Sequence, residues 1–133
     1  MNQIRNLLVP GGLGFIGSHT IIEIISKTQA KVLILDDMSN CFEDVLDRIK
    51  KILLNKFSPE DANSRIEFHQ INILNLEALE GLFKTKKDQG QPIDGIMHFA
   101  AKKAIGESMK DPLMYFENNF VGSLNLFKMM EKY

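Results

Sequence analysis

A glycine-rich stretch near the N-terminus decides the fold: Val9 to Thr20 read VPGGLGFIGSHT. Its glycines can be read in two registers. Gly12, Gly14 and Gly17 spell G-x-G-x-x-G, whereas Gly11, Gly14 and Gly17 spell G-x-x-G-x-x-G. A phosphate site between a strand and a helix needs a tight turn, backbone without Cβ where the phosphates approach, and close helix–strand packing. Glycines at this spacing supply all three, and the helix N-terminus adds unpaired N–H groups.

A lone glycine motif is typical of a structural turn as well as of a phosphate site, so its neighbours decide. The apolar residues 7–9 predict a buried strand before the glycines, and residues 14–28 predict a helix after them. Residues 31–36 predict a second strand that ends on Asp36, 19 residues after Gly17. An acid at this place accepts hydrogen bonds from a ribose diol and repels a 2′-phosphate. The context therefore favours dinucleotide binding, with NAD preferred to NADP.

Strands and helices alternate along the rest of the chain. Further strands are predicted at residues 65–71 and 95–100, and helices over residues 42–57 and from residue 76 to near residue 90. This order predicts an α/β, Rossmann-like doubly wound parallel sheet of four strands, in the order 3-2-1-4, with helices on both faces. The apolar fourth strand suits the middle of a sheet rather than an edge. We therefore expect residues 1–133 to be a domain truncated before a fifth strand, with any C-terminal substrate domain absent.

A last helix is predicted from Asp111 to the end, with aspartate as N-cap and Pro112 at the first helical position. An apolar stripe along this helix is expected to pack in the core, and it consists of Leu113, Phe116, Phe120, Leu124 and Phe127. Asn118 and Asn119 are poor residues for a helix interior, which indicates that a site requires polar groups there.

Composition excludes several classes of function. The chain has 133 residues, 44% of them hydrophobic and 25% charged, as in one globular domain. A net charge of −1 provides no field to attract nucleic acid or an anionic membrane. A single cysteine and the lack of a signal-peptide pattern predict a cytoplasmic protein without disulfides.

The remaining reactive side chains have simple structural interpretations. We read His19 as a helix-packing residue, His98 as a core histidine and His69 as a surface group on an edge strand. Their spacing is not that of metal ligands, so we expect no metal site. Cys41 has no histidine partner and is read as a small loop residue.

Two stretches resemble a known family. The glycine stretch is similar to the opening of the extended short-chain dehydrogenases, the sugar-nucleotide epimerases in particular. A more specific similarity begins at His98 to Ser108, HFAAKKAIGES, and continues through Pro112, Leu113, Tyr115, Asn118, Asn119 and Gly122. This run resembles the UDP-glucose 4-epimerase family of galactose metabolism, over the whole chain but only the front part of that family's length.

The resemblance implies NAD as the cofactor and the register of Gly11, Gly14 and Gly17. It also implies the cofactor-binding positions Gly11, Gly14, Phe15, Ile16, Gly17, Asp36, Asp37, Asn40, Asn72, Ile73, Phe99, Ala100, Ala101, Lys103 and Asn118. Lys103 and Ser108 are the implied substrate contacts, although Ser108 is as readily a structural residue. We read Asp37 as a solvated loop residue rather than as a catalytic partner.

Two positions depart from the family's pattern. Asn72 stands where the family has an aspartate at the adenine, and it can accept a hydrogen bond through its amide oxygen but without charge. Pro10 replaces a threonine. It has no N–H for the sheet and lacks the hydroxyl, so the sequence leaves the geometry of the following turn open.

The family's catalytic pair is missing from this sequence. In the family, bound NAD takes a hydride from C4 of a UDP-hexose, with a Tyr-x-x-x-Lys pair as the base. Here Asn119 stands four residues after Tyr115, and Tyr133 is the last residue. We therefore predict no catalytic residue and no epimerase activity for this chain alone.

Three interpretations remain open. The chain is the cofactor-binding front of a UDP-glucose 4-epimerase, an NAD-binding module without turnover of its own, or a remnant that does not function. A nucleotide-sugar partner is expected only if a C-terminal part completes the protein. By resemblance, the last helix is also a candidate homodimer surface, through Met114, Val121 and Met129.

Overall fold

Four strands form one parallel sheet in the computed structural model, which describes residues 4–133. Met1 to Gln3, the start of the segment without a signal-peptide pattern, lie outside the described residues. The strands are β1 (Asn6–Pro10), β2 (Lys31–Asp36), β3 (Ile66–Gln70) and β4 (Gly95–Ile96). They pair in the order β3-β2-β1-β4, and every pair is parallel. The predicted Rossmann-like order is therefore confirmed.

Helices cover both faces of this sheet. Their bounds are α1 (Phe15–Lys27), α2 (Val45–Leu54), α3 (Pro59–Ser64), α4 (Leu76–Asp88), α5 (Ile105–Ser108), α6 (Pro112–Phe116) and α7 (Gly122–Lys132), with one π-helical turn (Glu117–Val121) between the last two. Leu7 and Val9 of β1 pack with α1 and α2, whereas Leu8 packs with α4 and α7. Because successive residues of a strand face opposite ways, β1 is buried on both sides and reads as one apolar run.

The fourth strand is shorter than the predicted span of residues 95–100, although its backbone follows β1 further. Met97 N–H donates to the Leu8 carbonyl at 2.9 Å, and Phe99 N–H donates to the Pro10 carbonyl at 2.7 Å. Pro10 can accept but cannot donate, so it breaks the regular ladder without ending the contact. The pairing with β2 continues past Pro10, because Gly11 N–H donates to the Leu35 carbonyl at 2.7 Å.

The expected core stripe of the last helix is wrong. Leu113, Phe116, Phe120, Leu124 and Phe127 are all exposed, and Phe127 is 70% exposed. The opposite face is buried and carries Asn118, Gly122, Asn125, Leu126 and Met129. Met129, which the sequence places on the outer face, is only 3% exposed.

Close packing on Ile73 explains why this polar face turns inward. A Cβ on Gly122 would lie 2.4 Å from Ile73 Cδ1, so the glycine lets the helix approach. The buried Asn125 side chain donates to the Ile73 carbonyl at 3.1 Å and satisfies a backbone group that the sheet leaves free. Glycine and asparagine therefore serve as packing residues here, which an apolar periodicity cannot reveal.

Two smaller expectations also fail, and one further helix was not predicted. Phe42 lies outside α2 and is 80% exposed, so the helical stripe begins later than predicted. The helix is followed by α3, because the Ser58 hydroxyl accepts from Asp61 N–H and caps a new helix. His98 is exposed and its Nε2 lies 3.0 Å from Ser123 Oγ, so it is not a core histidine.

A buried lysine ties the edge strand β3 to α4. Lys86 is 6% exposed, and its Nζ donates to Glu67 Oε2 at 2.5 Å. His69 Nε2 lies 2.8 Å from the other oxygen of this carboxylate. Burial raises the pKa of the Glu67 carboxyl, but the hydrogen bond and charge of Lys86, together with His69, outweigh burial, and the pKa lies below its ordinary value.

We expect Glu67→Gln to destabilise the protein at neutral pH, because it leaves the Lys86 ammonium buried without its counter-charge. A carboxyl with a depressed native pKa contributes stability above its unfolded pKa and loses it as pH falls through the native pKa. The difference in unfolding free energy between the variant and the parent should therefore shrink from about pH 7 to about pH 3. Urea unfolding measures it, with Glu23→Gln of the exposed Glu23–Lys27 pair as control. A difference independent of pH would contradict the expectation.

Candidate functional site

A cleft of about 780 Å³ opens where the segments that follow the four strands meet. In open parallel sheets, ligands bind outside the carboxyl ends of the strands. All fifteen positions predicted for the cofactor line this cleft: Gly11, Gly14, Phe15, Ile16, Gly17, Asp36, Asp37, Asn40, Asn72, Ile73, Phe99, Ala100, Ala101, Lys103 and Asn118. The structure thus brings together residues from distant parts of the chain.

The glycine turn is built by two close backbone approaches. Gly11 has a φ of +75°, and a Cβ on it would lie 2.4 Å from Ala100 N. A Cβ on Gly17 would lie 2.4 Å from the Gly11 carbonyl oxygen. Gly12, in contrast, is buried against Ile34 and does not line the cleft. The glycines that face the cleft are therefore those of the G-x-x-G-x-x-G register.

The N-terminus of α1 opens into the same cleft. No side chain caps the helix at Gly14, and its first turn contains no acidic residue. The first N–H groups of a helix have no partner within the helix and carry its positive dipole end. Phe15 and Ile16 are exposed at this end, 80% and 56% respectively. This terminus can therefore donate to an anion between the glycine turn and the helix.

Asp36 joins the end of β2 to the glycine turn. Its Oδ2 accepts from Leu13 N–H at 3.0 Å, and its Oδ1 accepts from Met38 N–H at 2.9 Å. A carboxylate has about four acceptor positions, so roughly two remain for ligand hydroxyl groups. Asp36 can thus hold a ribose while it fixes the turn, and sequence reasoning identified only the first of these roles.

Asp37 and Asn72 form an amide–carboxylate pair across the loops after β2 and β3. Asn72 Nδ2 donates to Asp37 Oδ2 at 2.8 Å, and Asn72 Oδ1 accepts from Leu74 N–H at 2.8 Å. Asp37 Oδ1 accepts from Ser39 N–H at 2.9 Å. Both side chains are half-buried, so Asp37 is more than a solvated loop residue. The amide oxygen expected to be free for a ligand already accepts one hydrogen bond.

This pair requires one amide and one carboxylate. We expect Asn72→Asp to destabilise the protein by about 1–3 kcal/mol, because it replaces a donor with a second negative charge beside Asp37. The double variant Asp37→Asn with Asn72→Asp should recover most of that loss, because it exchanges the two partners. Urea unfolding of both variants and of the single Asp37→Asn variant measures the coupling. A double variant less stable than Asn72→Asp would contradict the pairing.

The segment after β4 is fixed by the last helix. Asn119 Oδ1 accepts from Lys102 N–H, and Asn119 Nδ2 donates to the Lys102 carbonyl, both at 2.8 Å. Asn118 lies in the π-helical turn, is 8% exposed and donates to Asn119 Oδ1 at 2.9 Å. Single π turns in α-helices are frequent at functional sites. Asn119 therefore fixes the backbone of the segment after β4, and Asn118 supports Asn119, although both residues are unfavourable in a helix interior.

Several site residues were not predicted, and one predicted residue lies elsewhere. The unpredicted residues that line the cleft are Leu35, Ile71, Ala104, Glu107 and Tyr115. Ser39 and Lys102 also line it, within stretches expected to lie along the cofactor. The four-residue spacing of Tyr115 and Asn119, which puts both on one side of a helix, was the signal for Tyr115. Ser108 does not line the cleft, and its hydroxyl donates to the Ile105 carbonyl at 2.8 Å.

The described residues provide neither a metal-binding cluster nor an activated thiol. Among residues 4–133, no group of three histidine, cysteine or acidic side chains is arranged to hold a metal ion. Burial raises the pKa of the Cys41 thiol, and the charges of Asp36 and Asp37 raise it further. A thiol with a raised pKa is a weak nucleophile at neutral pH.

The sheet order and the cleft define the class of this protein. It is a Rossmann-like domain whose site lies where the strand order reverses, between β1 and β4. Within this class, the chain belongs to the family described as GDP-mannose 4,6 dehydratase, whose sequence model matches residues 8–133.

UDP-glucose 4-epimerases are among its similar proteins. A UDP-glucose 4-epimerase of Dictyostelium discoideum is 38% identical over 127 residues, which are 96% of this chain and 33% of that protein. A bifunctional UDP-glucose 4-epimerase and UDP-xylose 4-epimerase of Arabidopsis thaliana is 35% identical over 97% of this chain and 34% of its own length. The chain thus spans about a third of the curated relatives it matches.

Solved structures agree with this result. The UDP-glucose-4-epimerase of Stenotrophomonas maltophila, with bound NAD and formylated UDP-arabinopyranose, has a TM-score of 0.77 and 35% identity, over 96% of this chain and 33% of that chain. The UDP-glucose 4-epimerase of Bifidobacterium longum, in complex with NAD+ and UDP, has a TM-score of 0.76 and 30% identity over the same shares. The resemblance to the front part of UDP-glucose 4-epimerases is therefore confirmed.

Within residues 4–133, no helix has the length and apolar character that a membrane crossing requires.

Proposed function

We propose that this chain is the NAD-binding part of a UDP-glucose 4-epimerase. The observation that carries the proposal is the cleft itself. Three features meet there: a glycine turn with no room for a Cβ at Gly11 or Gly17, an uncapped helix N-terminus, and a carboxylate with free acceptor positions. These are the three elements that a dinucleotide requires for its phosphates and ribose.

Different residues of the cleft bind different parts of NAD. The N–H groups of Phe15 and Ile16, beside Gly11 and Gly17, donate to the pyrophosphate. Asp36 accepts from the adenosine ribose, and the loops that carry Asp37 and Asn72 enclose the adenine. Residues 99–103, with Asn118, line the side of the cleft that adjoins the glycine turn, where Lys103 supplies positive charge for the pyrophosphate. NAD, when bound, supplies the hydride acceptor that epimerisation at C4 requires.

We propose that the chain alone does not turn over substrate. The tyrosine that lines the cleft is Tyr115, and burial and then its hydrogen bond to Glu107 raise the pKa of its hydroxyl. A catalytic tyrosine base requires the opposite shift, toward the working pH. Tyr115 is therefore a poor substitute for the base of the Tyr-x-x-x-Lys pair, which this sequence lacks.

The partners and compartment are also proposals. A nucleotide sugar binds only when a further part of the protein completes the site, and Lys103 is better placed for it than Ser108. The exposed apolar face of the last helix supports a homodimer, and the cytosol is the expected compartment.

Calorimetric titration of the purified chain with NAD and with NADP tests the proposal. We expect saturable binding of one NAD per chain and much weaker binding of NADP. A coupled assay with UDP-galactose should show no epimerase activity. Folded protein that binds neither dinucleotide would overturn the function, and turnover of UDP-galactose would overturn the claim of inactivity.

A further inference from the structure

Lys103 stands in a segment that the sheet does not hold. Regular pairing of β4 ends at Ile96, and the last backbone bond to β1 is made by Phe99. Residues 103 and 104 are exposed. Contacts other than the sheet must therefore fix the backbone on either side of Lys103, which lines the cleft.

Two side chains provide these contacts, Tyr115 of α6 and Asn119 of the π-helical turn. Asn119 holds both backbone groups of Lys102, as donor to its carbonyl and acceptor from its N–H. The Tyr115 hydroxyl accepts from Ala104 N–H at 3.0 Å. Because residues four apart lie on the same side of a helix, Tyr115 and Asn119 reach the segment together. They fix the residues before and after Lys103 and leave its side chain free.

Glu107 decides the direction of the Tyr115 hydroxyl. The hydroxyl has one proton, which can go to Glu107 Oε2 at 2.6 Å or to the Ala104 carbonyl at 2.9 Å. Hydrogen bonds to a carboxylate are shorter and stronger than those to a neutral carbonyl. With the proton directed to Glu107, an oxygen lone pair of Tyr115 accepts from Ala104 N–H. The acid therefore supports the contact to the backbone.

We propose that Tyr115 and Asn119 are positioning residues that hold Lys103 at the cleft for the diphosphate of a bound nucleotide. The inference rests on the proposed function for its ligand. Tyr115 acts through Lys103 and touches no reacting atom. The pair fixes the backbone at residues 102 and 104, so the ammonium group meets the anion with little loss of conformational freedom.

A double-mutant cycle tests the inference by NAD titration of four proteins: the parent, Tyr115→Phe, Lys103→Ala and the combination. Tyr115→Phe keeps the ring and removes the hydroxyl. It should weaken NAD binding roughly two- to tenfold, as expected for the loss of one hydrogen bond. In the Lys103→Ala background it should have no further effect. An equal loss in both backgrounds would show that Tyr115 does not act through Lys103 and would overturn the inference.

The other tyrosine of the chain is the matched control. Tyr133 donates to Glu80 Oε1 at 3.0 Å, on α4, and does not line the cleft. Tyr133→Phe should leave NAD binding unchanged in both backgrounds. An effect as large as that of Tyr115→Phe would assign the loss to loosened packing and contradict positioning.

Amide hydrogen exchange separates this inference from the proposed function, because it needs no ligand. Ala104 N–H should exchange faster in Tyr115→Phe than in the parent. If the parent binds no NAD and the exchange rates still differ, the proposed function is wrong, but the contact of Tyr115 with the backbone of Ala104 is supported. Equal exchange of Ala104 N–H in both proteins would contradict the claim that Tyr115 fixes this backbone, whether or not NAD binds.

Discussion

We expect Gly11→Ala to abolish NAD binding and to destabilise the fold by about 2–5 kcal/mol, more than an added methyl at the other glycines of the turn. Gly11 has a φ of +75°, which an L-residue adopts at a cost of about 1–2 kcal/mol. A Cβ there would also lie 2.4 Å from Ala100 N and 2.6 Å from the Phe99 carbonyl carbon. These atoms are backbone, so no side chain can rotate away, and the glycine turn would separate from the segment after β4.

Two other glycines provide controls for this result. Gly90 has a φ of +70°, and nothing lies within 4 Å of the position that a Cβ would take, so Gly90→Ala measures the backbone penalty alone. Gly81 lies within α4 with equal space, so Gly81→Ala should stabilise by about 0.5–1 kcal/mol. Urea unfolding and NAD titration give both readouts. A Gly11→Ala variant no less stable than Gly90→Ala would contradict the close approach to residues 99 and 100.

The second large effect is expected for Asp36→Asn, which should lower the affinity for NAD roughly 10- to 100-fold. The substitution keeps the shape but removes the charge and one of the two acceptor oxygens. The remaining oxygen must serve either the backbone or the ribose. Because a 2′-phosphate no longer meets a negative charge, the affinity for NADP should not fall in parallel. Calorimetric titration of both cofactors measures the ratio of the two affinities.

The ratio of the NAD and NADP affinities distinguishes loss of ribose recognition by Asp36 from loss of structure in the glycine turn. Loosening of the glycine turn through Leu13 would weaken both cofactors alike, whereas loss of charge changes their ratio. Asp47→Asn on the exposed side of α2 is the control and should change neither affinity. A preference for NAD that survives in Asp36→Asn would contradict the role given to the carboxylate.

Sequence reasoning could predict the sheet because its signals are local. The run of residues 31–36 is the observed β2, since a strand buried on both faces must be apolar throughout. Strand order followed from alternation with helices, and the cleft followed from the glycine spacing together with Asp36. The strand and turn signals lie within the elements that they predict, and the position of Asp36 at the end of a predicted strand connects it to the glycine turn.

The missed features depend on contacts between distant segments. The buried face of the last helix is set by Gly122 against Ile73 and by Asn125 on the Ile73 carbonyl. The bond from Leu13 N–H to Asp36 and the contact of Tyr115 with Ala104 likewise join residues far apart in the sequence. Apolar periodicity favours the wrong face of this helix because glycine and asparagine carry no hydrophobic signal.

The most direct test of dinucleotide binding in this cleft is the set of backbone amide shifts of the 15N-labelled chain during titration with NAD. We predict that the amides of residues 11–17, 36–40, 71–73 and 99–103 change first and saturate together, because one ligand spans the cleft. Amides on α4, away from the cleft, should not change. A saturable response confined to other residues, or no response from folded protein, would contradict the claim that this cleft binds a dinucleotide.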